Sequence, residues 1–115
     1  MGAGSTYKAQ RSRENVRLRM LAYEFNSHNK DVGRAYDLAR QAEARIALAV
    51  AEEVIRDYGA ARQGYEAAIA DLRRAEEIRK SVPSNMTLAD IVRENLELAV
   101  EGLKVSEARI RLREY

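Results

Sequence analysis

The chain lacks cysteine and tryptophan altogether and has a single proline among its 115 residues. Without cysteine there is no disulfide framework and no thiol chemistry. No apolar run approaches the ~18–20 residues of a membrane-spanning helix, and only 6% of the residues are aromatic. Charged residues reach 33%, and alanine is abundant. This composition is typical of long surface helices, and the length leaves room for one domain.

The N-terminal segment is basic. Residues 1–30 carry six basic residues against two acidic ones, whereas the remainder has 14 basic and 16 acidic residues. No apolar segment follows the first basic residues, so the segment does not resemble a signal peptide. A basic arm suggests nucleic acid as a partner, but this arm is short and lacks interleaved aromatic residues that stack on bases. We therefore expect nucleic-acid binding to be weak and salt-sensitive at most.

Apolar spacing predicts two helices before the proline. The first covers about 12–27, with Ser12 as its N-cap, and the second runs from the capping residue Asp31 to about residue 80. Gly59 and Gly64 interrupt the second helix, but its apolar stripe keeps its phase through both. We therefore predict one helix of ~75 Å, with a bend allowed near the glycines. The stripe advances in steps of three or four residues: Ala35, Ala39, Ala42, Ile46, Val50, Val54, Tyr58, Ala61, Tyr65, Ala68, Leu72, Ala75 and Ile78.

The only proline lies in the stretch 81–87, which separates this helix from the last one. Leu88 begins the last helix, and Thr87 and Asp90 have the spacing of a capping box. Gly102 suggests a close crossing with another helix, and Asn95 suggests a polar group that sets the register. Two apolar rows repeat every seven residues: Ile91, Leu98, Val105 and Leu112, and Leu96, Leu103 and Ile110.

These patterns predict an all-α fold. We expect a long antiparallel, coiled-coil-like helical hairpin over residues 31–115, with its tip at 81–87. A basic arm and a short helix over residues 1–30 precede it. Folded at residue 84, the returning arm reaches back only to about residue 53. Residues 31–52 must therefore find another partner. The first helix can supply part of it, and we expect other chains to supply the rest.

No constellation of residues indicates an enzyme. The only histidine, His28, follows Glu24 by four residues, and one such pair is not a metal site without further ligands. The carboxylate pairs at 52–53 and 76–77 fit solvated helix faces. No serine has an arguable histidine partner, and there is no glycine-rich phosphate loop. We predict a non-enzymatic protein with no catalytic residue, no cofactor and no metal.

The chain from Thr87 onward resembles the outer membrane efflux proteins, the TolC-like exit ducts of Gram-negative bacteria. In that family a long periplasmic helix ends at a short tip. The chain then restarts with a threonine, an aspartate three residues later, an aliphatic pair, and a leucine/alanine-rich helix with Glu-Ala-Arg near its far end. The matching residues here are Thr87, Asp90, Ile91-Val92, "ENLELAVEGL" and Glu107-Ala108-Arg109. The segment "ARIALAVAEEVIRDYGAARQGYEAAIADLRRAEEIRK" is similar to the family's descending arm.

The resemblance implies a trimer whose helices form a periplasmic tunnel for export of small molecules or proteins. It also implies a periplasmic adaptor and an inner-membrane pump as partners, and a location in the periplasm and outer membrane. In the family the aspartate after the tip helps to close the duct, and Asp90 has that position here. The candidate residues for adaptor docking or gating are Ser81, Val82, Pro83, Ser84, Asn85, Met86, Thr87 and Asp90.

This chain also departs from the family. The family's tip usually carries a glycine, which residues 81–86 lack, and no segment of the sequence is a convincing membrane-crossing β-strand. We therefore expect the chain to correspond to one hairpin of such a protein. Two alternatives stay open: a stand-alone helical scaffold that associates with itself or with a partner helix, and, ranked below it, a nucleic-acid binder that uses the basic arm.

Overall fold

The computed structural model describes residues 29–82 and 86–113. The chain divides into two compact units, Met1–Lys30 and Asp31–Tyr115, and the second contains almost all of the described residues. The described part is helical and has no strand: α1 covers 29–54, α2 covers Tyr58–Lys80 and α3 covers Met86–Arg113. The all-α prediction is confirmed for this part of the chain. The predicted helix over 12–27 lies outside the described residues.

The predicted continuous helix over 31–80 is wrong, because the chain turns at residues 55–57. Arg56 has a φ of 63°, a left-handed conformation that an α-helix of L-residues does not sustain. The N–H groups of Arg56 and Asp57 donate to carbonyls of the last turn of α1, at 2.9 and 2.8 Å. Asp57 then caps α2, since its Oδ1 accepts from the Ala60 N–H at 3.2 Å. The break precedes Gly59, so glycine flexibility is not its cause.

Two predicted N-caps are also wrong. Residues 29 and 30 are already helical, so Asp31 lies inside α1, where its carboxylate pairs with Arg34 at 3.2 Å. The last helix begins one residue before Thr87, so Thr87 lies inside its first turn. Asp90 is the fifth residue of α3 and pairs with Arg93 at 3.0 Å. Exposed i,i+3 pairs of this kind stabilise a helix by about 0.2–0.5 kcal/mol.

One core joins the three helices. A Cβ atom added at Gly64 of α2 would lie 3.1 Å from the Cβ atom of Ala49 in α1, so these two helices approach closely. Beside this contact, Arg45 donates to Asp71 across the same pair of helices at 3.0 Å. The buried residues of the core are Ala39, Ala42, Ile46, Ala49, Ala61, Tyr65, Ala68, Ile69, Leu72 and Ala99. A second buried cluster consists of Ala35, Ala75, Leu88 and Val92.

Two polar contacts fix α3 against α1. Asn95 donates to Glu43 at 3.1 Å, and Ser106 donates to Glu53 at 3.0 Å. The two contacts are separated by about the same number of residues on each helix, so α1 and α3 run in the same direction. The Asn95 side chain also donates to the Ile91 carbonyl at 2.9 Å. A side chain that bonds both its own helix and a neighbour is what the register prediction for Asn95 requires.

The left-handed turn residue can be tested directly. Left-handed backbone costs an L-residue roughly 1–2 kcal/mol, and glycine does not incur that cost, although it loses more entropy on folding. We expect Arg56→Gly to raise the free energy of unfolding by about 0.5–1 kcal/mol, measured by urea denaturation. Arg40→Gly is the control, because Arg40 is exposed in the middle of α1. It should lower the same quantity by about 1 kcal/mol. Destabilisation by both substitutions would contradict the strained turn.

Candidate functional site

The predicted tip begins with a conventional helix end. Ser81 is the C-cap of α2; its N–H and its Oγ both donate to the Ile78 carbonyl, at 3.1 and 2.8 Å. Val82 is buried, and its N–H donates to the Arg79 carbonyl at 3.4 Å. Ser81 and Val82 therefore stabilise the end of α2. Residues 83–85 (Pro83, Ser84 and Asn85) lie outside the described residues.

The remaining candidate residues lie at the start of α3. Met86 is 70% exposed and Thr87 is exposed, so both side chains face solvent. The Asp90 carboxylate is held by Arg93 on the same helix. This ion pair replaces the cap that the spacing predicted. Adaptor docking and gating by these residues stay predictions, since they concern contacts with other chains.

A buried polar cluster joins all three helices at the end opposite the tip. Glu53 of α1 accepts from the Ser106 hydroxyl of α3 at 3.0 Å and is hydrogen-bonded to the Tyr65 hydroxyl of α2. Ser106 is fully buried and Tyr65 is 2% exposed. The pKa of Tyr65 is raised to about 12, mainly because the side chain is buried. The negative charge of Glu53 and its hydrogen bond with the hydroxyl raise the pKa further. Tyr65 therefore stays protonated at neutral pH, where it acts as a hydrogen-bond donor and not as a base.

The Tyr65 ring lies directly against the backbone of Gly102. A Cβ atom added at Gly102 would overlap the Cζ and Cε1 atoms of the ring. Gly102 therefore makes room for an aromatic side chain of α2, and the predicted close crossing of two helices at this residue stays a prediction. The Tyr65–Glu53–Ser106 cluster was not predicted. The signal that could have found it is a serine and a glycine on the core side of α3, because that side is mostly apolar and a buried hydroxyl needs a hydrogen-bond partner.

The two predicted apolar rows of α3 have different environments. Leu96 and Leu103 pack against the core, as does Ile91 at the start of the other row. Further along, Leu98 is 58% exposed, Val105 44% and Leu112 67%. The row that contains Ile91 therefore leaves the core after its first residue. We call Leu98, Val105 and Leu112 the outer row.

Charge is distributed unevenly beside the outer row. Residues 94–101 of α3 include three glutamates and no basic residue, whereas 104–113 include Lys104, three arginines and one glutamate. Val50 of α1 is 48% exposed and lies seven residues after Glu43, which contacts α3. Val50 therefore lies on the same side of α1 as Glu43.

Between α2 and α3 lies a shallow groove of about 670 Å³, lined by Arg73, Leu96, Glu97, Val100, Glu101 and Lys104. Near its tip end, Arg79 donates to Glu76 through Nε at 2.7 Å, and this hydrogen bond holds the pKa of the Glu76 carboxyl below its usual value. Charged residues of both signs line the groove. No single ligand chemistry is indicated by that mixture.

No group of three or more potential metal-ligating side chains occurs within 29–82 and 86–113. None of the helices in these two segments is long and apolar enough to cross a membrane. His28 and Glu24 lie outside the described residues, so the prediction that they form no metal site stays a prediction.

Comparison with known proteins yields no relative for this chain: no family model, no curated protein and no solved structure matches it.

Proposed function

We propose that this protein is a non-enzymatic helical scaffold that associates with a second copy of itself through the outer row of α3. The observation that carries the proposal is the exposure of Leu98, Val105 and Leu112 at seven-residue intervals on one helix. Burying a leucine or valine side chain contributes about 1.5–3 kcal/mol. An apolar row repeated every seven residues is the pattern by which one helix packs along another.

The charge distribution of α3 favours an antiparallel pairing of the two copies. Val105 lies midway between Leu98 and Leu112, seven residues from each. When two α3 helices cross in opposite directions at Val105, the acidic 94–101 half of one lies beside the basic 104–113 half of the other. A parallel pairing would instead bring the glutamates of both copies together, and juxtaposed like charges are unfavourable.

Leu98→Glu tests the proposal by placing a charge in the outer row. We expect sedimentation equilibrium to show a dimer for the unmodified chain, and a monomer for the variant, because a buried unpaired charge opposes association. Leu48→Glu is the matched control. Leu48 is 61% exposed, almost the same as Leu98, but lies on α1 outside the outer row, so this variant should remain a dimer. A monomeric unmodified chain, or equal dissociation of both variants, would contradict the proposal.

Orientation can be tested with single cysteines, since the chain has none of its own. In an antiparallel dimer, a mixture of Leu98→Cys and Leu112→Cys chains should form the mixed disulfide under mild oxidation. Each variant on its own should form little disulfide-linked dimer. Efficient self-linking of Leu98→Cys would indicate a parallel pairing.

The efflux-duct hypothesis, with its trimer, adaptor and pump, also stays a proposal. We infer that α2 and α3 form an antiparallel hairpin around the tip, because Tyr65 lies against Gly102 and Ala75 clusters with Leu88. Such a hairpin is part of the duct pattern. Its long descending arm, however, requires one helix through 55–57, where the chain turns. The scaffold is therefore favoured, and a trimer in the sedimentation experiment would favour the duct instead.

A further inference from the structure

A small, open cavity lined by three exposed arginines lies beside the 55–57 turn, between the start of α2 and the end of α3. Its volume is about 410 Å³, and its lining residues are Arg56, Tyr58, Arg109, Leu112 and Arg113. Arg56 comes from the turn, while Arg109 and Arg113 are four residues apart and therefore lie on one face of α3. The three arginines thus line the same space from two separate segments.

One of these arginines is held in place by an aromatic ring. The Arg113 guanidinium carbon lies 5.0 Å from the centre of the Tyr58 ring, which is within the range of a cation–π contact. Such a contact orients the guanidinium plane without neutralising its charge. Its N–H groups at the edge of the plane are left available to an acceptor.

The three arginines have no acidic partner among the described residues. The ion pairs of this part of the chain all involve other basic side chains. Two carboxylates close to Arg56 in sequence make other contacts: Asp57 caps α2 by accepting from Ala60, and Glu53 accepts from Ser106 and Tyr65. The cavity is therefore lined by three basic side chains and no acidic one.

We propose that this cavity binds a compact phosphate-bearing anion. Guanidinium groups present planar forks of N–H donors that match the oxygens of phosphate, and charge-assisted bonds of this kind are the strong ones. A concave space that three arginines enter suits a small, multiply charged group better than an extended chain of single charges. Leu112 belongs to both this site and the proposed contact surface, and the antiparallel pairing would place Arg109 and Arg113 beside the partner's glutamates. The anion and the second copy would therefore compete for this end of α3.

Titration of the full chain with inorganic pyrophosphate, by calorimetry at low ionic strength, tests the proposal. We expect saturable binding of one pyrophosphate per chain. Arg109→Gln and Arg113→Gln should each weaken that binding about tenfold or more, because each removes a charge-assisted hydrogen-bond donor. Arg56→Asn should weaken it similarly, and asparagine tolerates the left-handed turn, so the fold is retained.

Arg111→Gln is the matched control, because Arg111 is exposed at the same end of α3 but does not line the cavity. It should bind pyrophosphate nearly as well as the unmodified chain. The proposal is overturned if no saturable binding occurs. It is also overturned if Arg111→Gln loses as much affinity as Arg109→Gln, because pyrophosphate would then be attracted by the overall positive charge of this end of α3 and not by the cavity. It is also overturned if a single-stranded oligothymidylate binds the cavity arginines more tightly than pyrophosphate, since nucleic acid would then be the ligand.

Discussion

Gly102→Ala should destabilise the protein more than any other single methyl group added to its helices. In a helix interior, replacing glycine by alanine ordinarily stabilises by up to about 1 kcal/mol. Here the added Cβ atom would occupy the space of the Tyr65 ring. Tyr65 is almost fully buried and its hydroxyl is bonded to Glu53, so the ring has little freedom to move. We expect the free energy of unfolding to fall by about 3 kcal/mol, measured by urea denaturation.

Gly59→Ala is the control, because it should not lower the free energy of unfolding. Gly59 is the second residue of α2, and an added Cβ atom there meets nothing within 4 Å. This variant should be equally stable or slightly more stable than the unmodified chain. Combining Gly102→Ala with Tyr65→Leu should recover part of the loss, because the smaller side chain vacates the contested space. A neutral Gly102→Ala variant would show that the helices separate easily at this point.

High pH should destabilise the protein through Tyr65. Its folded-state pKa is about 12, above the ordinary value of about 10, because the buried phenol beside Glu53 resists ionisation. A raised pKa in the folded state stabilises the fold fully below pH 10. The stabilisation is then lost as the pH rises from 10 to 12, since the unfolded chain releases the proton first. Two pKa units correspond to about 3 kcal/mol, and unfolding should accompany the appearance of tyrosinate absorbance.

Tyr65→Phe separates this effect from general alkaline denaturation. Phenylalanine keeps most of the ring contact with Gly102 but cannot ionise. The variant should be less stable at neutral pH, because Glu53 loses a hydrogen bond worth about 1–2 kcal/mol. Its stability should then change less than that of the unmodified chain between pH 10 and 12. Parallel pH curves for the two proteins would assign the alkaline transition to other residues.

Local patterns of α3 could be read from the sequence because they depend on few neighbours. Apolar residues every seven positions predicted a helix, and a glycine between them indicated a contact with a neighbouring helix, which the Tyr65 side chain makes. Whether the outer row is buried or exposed could not be predicted from the sequence. Leu98 and Leu96 are equally apolar, and only the position of α1 and α2 decides that Leu96 packs on the core while Leu98 is exposed.

The turn at 55–57 was missed because the apolar stripe seemed to continue through it. The steps from Ala42 to Tyr58 are four consecutive steps of four residues. At ~100° per residue this advances about 160° around the helix, so the apparent stripe had moved nearly to the opposite side. Ala49 and not Val50 faces the core, and Val54 is 77% exposed. The step size alone hides this rotation, whereas the summed rotation around the helix axis shows that Ala42 and Tyr58 cannot lie on the same face of one continuous helix.

The polar cluster and the arginine cavity could not be predicted because both combine residues that are distant in sequence. Ser106 lies 53 residues from Glu53, and Arg56 lies as far from Arg109. Each is an ordinary residue in its own helix. Their juxtaposition depends on the turn that the sequence pattern concealed, since a helix continuing through 55–57 would carry Arg56 away from the end of α3.

The order of the helices along the chain also determines how much chain entropy is lost when each pair of helices comes into contact. The Arg45–Asp71 contact between α1 and α2 spans 26 residues, whereas the Glu53–Ser106 contact between α1 and α3 spans 53. Doubling the length of a closed loop costs about 0.6 kcal/mol in chain entropy. Forming contacts between α1 and α2 from the unfolded chain therefore loses less chain entropy than forming contacts between α1 and α3. We therefore predict that α3 docks beside α1 after α1 has packed on α2. This docking forms the hydrogen bonds between Ser106 and Glu53 and between Asn95 and Glu43.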